Sequence, residues 1–344
     1  MTTRQRRGRP SLLGAVALLA AGVLAPACSS ARSDALDSLD ELPRPPATEP
    51  SAAEPAPTTT PAQHECEVEQ WATKSYRPRP THGAPTDDPF VDAIIRRGHL
   101  RVGVDENTLG FAALNPETGD IEGFEVALAH EIAARIFPDA DTVERIVTVP
   151  VVTSTKFESV ESGTVDLTIS ANTMSCRRWD DVAFSAEYYT ARQEFLVRAD
   201  SDIHERDDLA GRTVCVTAAS TSAAILAAHV PDAERREVAD RTGCLVALQE
   251  GEVDAYFGHD SFLYGMLVQD PNVEIRSGIL PAEAGIVSHY GIAIARDQVE
   301  FVRFVNGVLR DVTADGTWDR LHDELAAEVP DVPPASAPEP EYRD

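Results

Sequence analysis

The chain has 344 residues, with 57 acidic against 30 basic side chains and a formal net charge of −27. A chain of this length has room for two modest domains and terminal segments. The charge argues against nucleic acid as a partner, because a phosphate backbone needs a basic surface. The acidic residues are spread along the chain, which is typical of a solvated surface on an exported protein.

The N-terminus has the three-part layout of a secretory signal. Four arginines in the first nine residues precede an apolar run, which is too short for a membrane span. The stretch LAPAC at 24–28 resembles a lipobox. We therefore predict a signal peptide at 1–27 and an acylated Cys28 that anchors the protein to the outer face of the cell membrane. Plain secretion and twin-arginine export are the alternatives.

Two segments are rich in Pro and acidic residues and have almost no large apolar side chains. Such segments do not bury a core. Residues 28–88 are accordingly predicted to be the lipidated N-terminus and a disordered tether, and residues 329–344 a disordered tail.

Strand and helix signals alternate between these segments. In chain order we predict strand Leu100–Val104, helix Phe124–Ile136, strand Arg145–Val152, helix Ser154–Glu161, strands Val165–Ser170, Glu194–Val197 and Arg212–Thr217, helices Ser220–His229 and Leu245–Glu250, strand Val253–Phe257, helix Ser261–Val268, strands Val273–Ile275 and Gly291–Ala295, and helices Val299–Ala314 and Trp318–Ala326. The alternation predicts an α/β protein with mostly parallel sheets. In such sheets, ligands bind beyond the carboxyl ends of the strands.

One such strand end carries a candidate anion site. The predicted strand Val165–Ser170 runs into a small polar loop, and Arg177 and Arg178 follow it. Arginine offers a planar fork of donors that matches a carboxylate. The pattern therefore predicts a site for a small carboxylate.

If Cys28 carries lipid, an even number of cysteines remains: Cys66, Cys176, Cys215 and Cys244. An even number in an exported chain indicates disulfides, and the sequence alone allows three pairings. No CxxC or HxxxH spacing supports a metal site, so neither metal nor cofactor is expected.

Several motifs fall in one order along residues 95–326. They are LRVGVD at 100–105, GFEVALA at 123–129, SGTVDLTISANTMSCRR at 162–178, FSAEYY at 184–189, GRTVCVTAASTS at 211–222, GCLVALQEGEVDAYFGHD at 243–260, and YGIAIARD, FVNGVL and DGTW nearer the C-terminus. In this order they resemble the extracellular solute-binding proteins of the polar amino acid type, family 3. The resemblance is greatest to the glutamate- and glutamine-binding lipoproteins of actinobacterial ABC transporters.

The resemblance implies a two-lobed periplasmic-binding-protein-like fold of type II, with one free amino acid in the cleft between the lobes. Lobe 1 is expected at 89–197, lobe 2 at 198–288, and a return to lobe 1 at 289–328. It also implies the disulfides Cys215–Cys244 and Cys66–Cys176.

The resemblance assigns the α-carboxylate of the ligand to Arg178, with Thr173 and the backbone of Ala171 beside it. The alternative is that Arg178 pairs at the surface with Asp180 or Asp181.

Ser220, Thr221 and Ser222 match a second carboxylate contact, and free amides at a helix N-terminus attract anions. An ordinary helix cap is the alternative for Ser220. Asp260 matches the aspartate that receives the ligand ammonium. The neighbouring His259 has either a structural role or a ligand contact.

Lys156 matches a basic residue that pairs with the distal carboxylate in binders of acidic amino acids. A solvated helix lysine is the alternative. Asp105 and Phe111 are implied to form the pocket wall. Thr153 stands where the family has a sandwiching aromatic residue. This favours glutamate or aspartate, with asparagine or glutamine open.

The resemblance implies a monomeric binding protein, not an enzyme, that presents its ligand to a membrane ABC permease. Sensing for a membrane receptor is the alternative. A dehydratase-like enzyme on this fold needs a general acid or base, for which Glu187 and His259 are the candidates. A structural envelope protein with an inactive pocket is a third class, which the set of Arg178, Thr173 and Asp260 argues against.

Overall fold

The computed structural model describes residues 72–79, 87–138 and 143–343. The helices in these ranges are α1 (Pro89–Arg97), α2 (Phe124–Ile136), α3 (Lys156–Glu161), α4 (Thr221–His229), α5 (Arg241–Gln249), α6 (Asp260–Gln269), α7 (Val299–Ala314) and α8 (Thr317–Glu328). The strands are β1 (Ser75–Tyr76), β2 (Leu100–Val104), β3 (Asn107–Thr108), β4 (Ala112–Leu114), β5 (Ile121–Glu122), β6 (Ile146–Pro150), β7 (Leu167–Thr168), β8 (Val182–Arg198), β9 (Thr213–Thr217), β10 (Glu234–Val238), β11 (Ala255–His259), β12 (Val273–Arg276), β13 (Val287–Ala295) and β14 (Tyr342–Arg343).

Two similar parallel groups of strands form the sheets of the two lobes. In lobe 1, β2 lies between β6 and β7 and is parallel to both. In lobe 2, β9 lies in the same way between β10 and β11. The long strands β8 and β13 join the two groups and pair antiparallel. The α/β two-lobed class is confirmed, but the sheets are mixed, because these two joining strands run against their neighbours.

The strands β8 and β13 are the two crossings between the lobes. The hydrophobic core of lobe 1 includes Ala191 and resumes at Tyr290, whereas the cores of lobe 2 begin at Phe195 and include Ile286. The chain therefore changes lobe between 191 and 195 and again between 286 and 290. The first crossing comes a few residues before the expected boundary at 197, and the helices α7 and α8 pack in lobe 1.

One predicted disulfide is confirmed. Cys215 on β9 and Cys244 on α5 are bonded, with their Cα atoms 5.6 Å apart. Cys176 is also disulfide-bonded. Its expected partner Cys66 lies outside the described residues, so that pairing stays a prediction. The predicted signal peptide and Cys28 also lie outside them.

The prediction of a disordered C-terminal tail is wrong for residues 329–343. Val329 and Val332 are buried in the lobe 1 core, and Tyr342–Arg343 pairs in parallel with Ser75–Tyr76. The same pairing shows that the disordered tether does not extend over 72–79, where Ser75 is fully buried. Composition alone gave no sign of this pairing, because two-residue strands carry no periodicity. No helix of the described ranges is long and apolar enough to cross a membrane.

The buried side chain of Asn306 on α7 joins the N-terminal strand β1 to the strand β8. Its Nδ2 donates to Ser75 Oγ at 2.8 Å and to Tyr76 O at 2.6 Å, and its Oδ1 accepts from the Ala186 N–H at 2.7 Å. One side chain thus satisfies polar groups from two distant segments.

We predict that Asn306→Leu lowers the free energy of unfolding by about 3 kcal/mol, because it leaves buried polar groups of both segments without partners. Chemical denaturation measures the loss. Asn115→Leu is the control, since the hydrogen bond from Asn115 to Glu122 is exposed. If the two variants lose equal free energies of unfolding, the hydrogen bonds of Asn306 do not stabilise the contact between β1 and β8.

Candidate functional site

Two loops with strained backbones face each other across the cleft. Ala171, after β7, and Ala219, after β9, are the non-glycine residues with positive φ in the described chain, at 47° and 59°. This conformation costs of order 1 kcal/mol or more for a residue with a side chain, and such strain concentrates at functional sites. The loops occupy corresponding strand ends in the two lobes, which is where an α/β sheet binds ligands.

A small cavity lies between these loops. Lobe 1 contributes Thr153, Lys156, Ala171, Thr173 and Arg178 to its lining. Lobe 2 contributes Thr217, Ser220, Thr221, Ser222, Arg241, His259 and Phe262. The structure therefore brings together most of the predicted site residues, and both lobes are needed to form the site.

The lobes are in close contact beside this cavity. A Cβ atom added to Gly265 on α6 of lobe 2 would lie 2.9 Å from the carbonyl oxygen of Leu109 in lobe 1. Thr173 and Thr221, one from each lobe, approach to 3.5 Å between their hydroxyl oxygens. A glycine at 265 is thus required for this closed arrangement.

Lys156, the first residue of α3, is only 2% exposed, so the alternative of a solvated helix lysine is wrong. Its Nζ donates to Ser170 O at 2.8 Å and lies 5.5 Å from the centre of the Phe157 ring. Burial lowers the pKa of Lys156 far below its usual value, and the nearby charges of Arg178 and Arg241 lower it further. An anionic ligand beside Nζ would therefore stabilise the protonated, charged form of Lys156.

Arg178 lies in the short 3-10 turn Cys176–Asp180, which we call the Arg178 turn. Its guanidinium lines the cavity, donates to Thr173 O at 2.8 Å and stacks 5.1 Å from the Phe157 ring centre. Burial, with the charge of Arg177, lowers the pKa of Arg178 to about 10, so it remains a cation at neutral pH. The neighbouring Arg177 is exposed, as expected of a surface residue.

Arg241, on α5, is a third cation on the lining that the sequence analysis missed. It is 5% exposed, pairs with Asp105 of lobe 1 at 3.0 Å, and donates to Thr108 Oγ1 at 2.7 Å. Its guanidinium also stacks 4.6 Å from the Phe262 ring centre. The helix was predicted only over Leu245–Glu250, so the sequence did not show that Arg241 is the first residue of α5, where a cation opposes the helix dipole. Such a cation suggests a role outside the helix.

The N-terminus of α4 contributes the predicted residues 220–222. Ser220 is the N-cap, and its Oγ accepts from the Ala223 N–H at 3.0 Å. Ser220 therefore caps the helix and also lines the cavity, and its contact with a ligand carboxylate stays a prediction. The hydroxyl of Ser222 donates to Gln193 Oε1 at 2.7 Å. The positive end of the helix dipole points at the cavity and adds to its attraction for anions.

A buried polar network connects this helix end to both crossing strands. Gln193 Nε2 on β8 donates to Thr221 Oγ1 and to Ser288 Oγ on β13, each at 3.3 Å. Ser288 Oγ also lies 3.0 Å from His259 Nε2. Burial lowers the pKa of His259 well below its usual value, with Arg241 and Lys156 lowering it further, so His259 is neutral at pH 7. His259 therefore has a structural place in this network and also lines the cavity, and its contact with a ligand stays a prediction.

The structure does not bring Asp260 into the cavity lining. Its Oδ1 accepts from the Arg192 N–H at 2.9 Å, and burial raises its pKa to about 6. The carboxylate is thus held by a backbone amide and does not line the cavity. The expected role of Asp260 as the ammonium partner is not supported by this geometry.

The two residues predicted to form the pocket wall, Asp105 and Phe111, do not line the cavity either. Phe111 is buried in the lobe 1 core against Phe124 and Tyr189, and Asp105 reaches the cavity only through Arg241. The Ala171 N–H donates to Glu125 Oε1 at 2.7 Å, so that amide is already satisfied and only the rest of Ala171 faces a ligand.

Glu187, one of the two candidates for acid–base chemistry, does not line this cavity. It accepts from Thr190 Oγ1 at 2.5 Å and lies 2.9 Å from His289 Nδ1. Its carboxylate raises the pKa of His289. Over the described ranges, no three His, Cys, Asp or Glu side chains are grouped as metal ligands.

We predict that Asp105 and Arg241 are energetically coupled. Either Arg241→Gln or Asp105→Asn leaves one buried charge unpaired and lowers the free energy of unfolding by about 3 kcal/mol or more. The double variant loses much less than the sum of the two. Denaturant titrations of the three variants measure this.

The control for this cycle is Arg212→Gln. Arg212 pairs with Asp202 at 2.7 Å, but both side chains are substantially exposed, so the stability should change little. Strictly additive losses at Asp105 and Arg241 would contradict a working ion pair across the cleft.

Comparison with known proteins agrees with this architecture. Residues 100–326 match the family model of bacterial extracellular solute-binding proteins, family 3. A glutamine-binding protein of Geobacillus stearothermophilus is 31% identical over 62% of this chain and 79% of its own. The glutamate-binding protein GluB of Corynebacterium glutamicum is 27% identical over 70% and 82%.

A solved structure shows the same fold. Holo ArgBP from T. maritima is 28% identical, with a TM-score of 0.58, over 67% of this chain and 99% of its own. The match of the family model covers most of the folded chain, including every residue of the cavity lining. The chain therefore belongs to family 3 of the bacterial extracellular solute-binding proteins.

Proposed function

We propose that this protein captures a free acidic amino acid, glutamate or aspartate, outside the cell and presents it to the permease of an ABC transporter. The observation that carries the proposal is the pair Lys156 and Arg178 on one wall of a cavity whose lining has no carboxylate. Its membership of the family and the transport roles named for its relatives support the general role.

The charges on the cavity favour a ligand with two carboxylates. Of the three cations on the lining, Arg241 is already paired with Asp105. Glu125 lies behind Ala171, but burial raises its pKa, which favours its neutral form. Lys156 and Arg178 therefore have charge to offer to a ligand, and two carboxylates of one small molecule would match them.

The assignment of the two cations follows from their surroundings. Arg178 presents the fork that binds a carboxylate in a bidentate way, and it lies beside Thr173. We assign it the α-carboxylate. Lys156 is a compact charge that reaches in from α3, and we assign it the distal carboxylate. The ligand ammonium would be received by neutral oxygens such as the Thr173 hydroxyl, since Asp260 does not line the cavity.

The names of the relatives divide between glutamine and glutamate, so the pocket has to discriminate. Glutamine presents a neutral amide where glutamate presents a charge. An amide would leave Lys156 buried without a counter-charge, which is costly. This favours the acidic ligand over the neutral one. The lipid anchor at Cys28 completes the proposal, since it would keep the protein near its permease.

We predict that Lys156→Met weakens binding of glutamate by about 30-fold or more and changes binding of glutamine far less. The variant keeps the length and apolar contacts of the side chain and removes only the charge that pairs with the distal carboxylate. Isothermal titration calorimetry with both amino acids measures the two affinities.

Arg178→Ala is the matched control, because both amino acids carry the α-carboxylate. This variant should weaken the binding of glutamate and of glutamine alike, by a factor similar to or larger than that of Lys156→Met on glutamate. If Lys156→Met weakens the binding of both amino acids equally, Lys156 does not interact with the distal charge of the ligand. If the unmodified protein binds neither glutamate nor aspartate, the proposal is wrong.

We also predict that binding of glutamate takes up a proton and weakens as the pH rises. The pKa of Lys156 is lowered in the free protein and is raised when a carboxylate binds beside it. Between these two pKa values the ligand binds only with a proton, so affinity falls with pH across that window. Calorimetry from about pH 7 to about pH 9 in buffers of different ionisation enthalpy measures the uptake.

His259 does not contribute to this uptake, since its pKa lies well below that range. Titration of the ligand amine is common to all variants. The uptake that disappears in Lys156→Met is therefore the part due to Lys156. An identical pH dependence in that variant would contradict the assignment.

A further inference from the structure

The two ends of the described chain meet beside the Arg178 turn. The strands β1 and β14 pair in parallel, with Ser75 opposite Tyr342 and Tyr76 opposite Arg343, and we call this pair the terminal clip. The Ser75 N–H donates to Glu341 O at 3.0 Å, and the Thr73 hydroxyl donates to the Glu341 carboxylate at 3.0 Å. A two-residue strand pair is only marginally stable alone, so the clip depends on what it packs against.

The clip packs against Trp179, the residue that follows Arg178. The Arg343 guanidinium lies 4.0 Å from the centre of a Trp179 ring and 4.8 Å from that of Tyr76. The Trp179 Nε1 donates to Ala72 O at 2.8 Å, just before β1. Ala72 and Arg343, near the two ends of the described residues, therefore hold the same indole, the first by a hydrogen bond and the second by a stacked cation.

A row of aromatic rings continues from Trp179 to the two cations of the cavity. Trp179 contacts Phe184 edge-on at 5.3 Å between ring centroids, and Phe184 contacts Phe157 at 6.0 Å. Phe157 in turn lies against both Arg178 and Lys156. The terminal clip is thus connected to the candidate carboxylate site by the chain itself, through Trp179, and by packing, through two phenylalanines.

The clip is also fastened to lobe 1 independently of the turn. The Ser75 hydroxyl donates to Phe184 O at 2.6 Å, and Asn306 bonds to both residues of β1. The clip is therefore a fixed support on which the Arg178 turn rests.

Within the turn, the N–H groups of Arg178 and Trp179 donate to Ser175 O, and the Asp181 N–H donates to Arg178 O. Its two ends are also held, because Cys176 is disulfide-bonded and Arg296 donates to Asp180 O at 3.0 Å. Trp179, between these ends, is the residue of the turn that the clip contacts.

We propose that the terminal clip positions Arg178 for the ligand α-carboxylate, and that Arg343 is the positioning residue that acts through Trp179. The proposal rests on the proposed function, in which Arg178 binds that carboxylate. Loss of the Arg343 side chain frees one face of the indole, and the Arg178 turn then samples positions in which the guanidinium no longer meets the ligand. A segment that reads as a disordered tail is in this way part of the binding site.

The test is Arg343→Ala in the full chain, titrated with L-glutamate and with glutamate 1-amide, in which a carboxamide replaces the α-carboxylate. Affinity for glutamate should fall by roughly 3- to 30-fold, the range of one cation–π contact. The 1-amide, which offers Arg178 no charge, should lose distinctly less. Arg343→Lys keeps the cation without the planar stacking and should restore part of the loss.

The matched control is Arg303→Ala. Arg303 stacks on Tyr76 of the same clip at 5.7 Å and donates to Arg77 O, but it does not stack on Trp179. It should leave the affinity for glutamate within about twofold, because Arg303 shares Tyr76 with Arg343 but has no stacking contact with Trp179, through which the clip acts on Arg178. Melting temperatures of all variants are recorded, so that a general loss of stability is seen as such.

Unchanged affinity in Arg343→Ala overturns the proposal. Equal losses for glutamate and its 1-amide, or equal losses in Arg303→Ala, overturn it as well, because they show a general effect on the fold. Failure of the unmodified protein to bind glutamate contradicts the proposed function instead, and it is seen before any variant is made. The comparison is then run with the amino acid that does bind and its α-amide.

Discussion

The structure buries two cations on one cavity wall, and no carboxylate on that wall compensates for the free energy that this burial costs. Lys156 and Arg178 are removed from water next to each other, and burial lowers the pKa of both. Removal of a charge from water costs several kcal/mol unless a partner of opposite sign is present. No lining residue supplies a carboxylate. A site with this arrangement is completed by an anion from outside, which is why we interpret it as a binding site.

The rest of the fold holds these cations in place against their mutual repulsion. The strained loops at Ala171 and Ala219 shape the two strand ends, and Phe157 lies beneath both cations. The helix dipole of α4 adds positive potential from the other lobe. Because each part comes from a separate segment of sequence, the positive potential of the cavity is a property of the closed tertiary structure and of no single motif.

Regular elements with clear periodicity were predictable from sequence, whereas elements fixed by tertiary contacts were not. The helices Phe124–Ile136 and Val299–Ala314 have the predicted bounds. Of the strand β8, only Glu194–Val197 was predicted, because polar residues near Arg192 interrupt its apolar pattern where it crosses between lobes. The edge strand Glu234–Val238 is almost entirely charged and polar and has no apolar alternation to detect. The family resemblance predicted the site residues that lie on loops. It did not predict that Arg241 lines the cavity or that Asp260 does not, because both depend on how the two lobes meet.

Arg241 and the other two cations contribute to closure in different ways. The ion pair with Asp105 joins residues of opposite lobes, so it forms only when the lobes meet, and it needs no ligand. It therefore affects how often the unliganded protein is closed. Lys156 and Arg178 belong to one lobe and have no such partner in the other. They therefore stabilise the closed form only when an anion is bound between the lobes. A ligand shifts an equilibrium only by its differential affinity for the two states. The cross-cleft pair thus sets the starting population of the closed form, and the two unpaired cations make that population responsive to an acidic ligand.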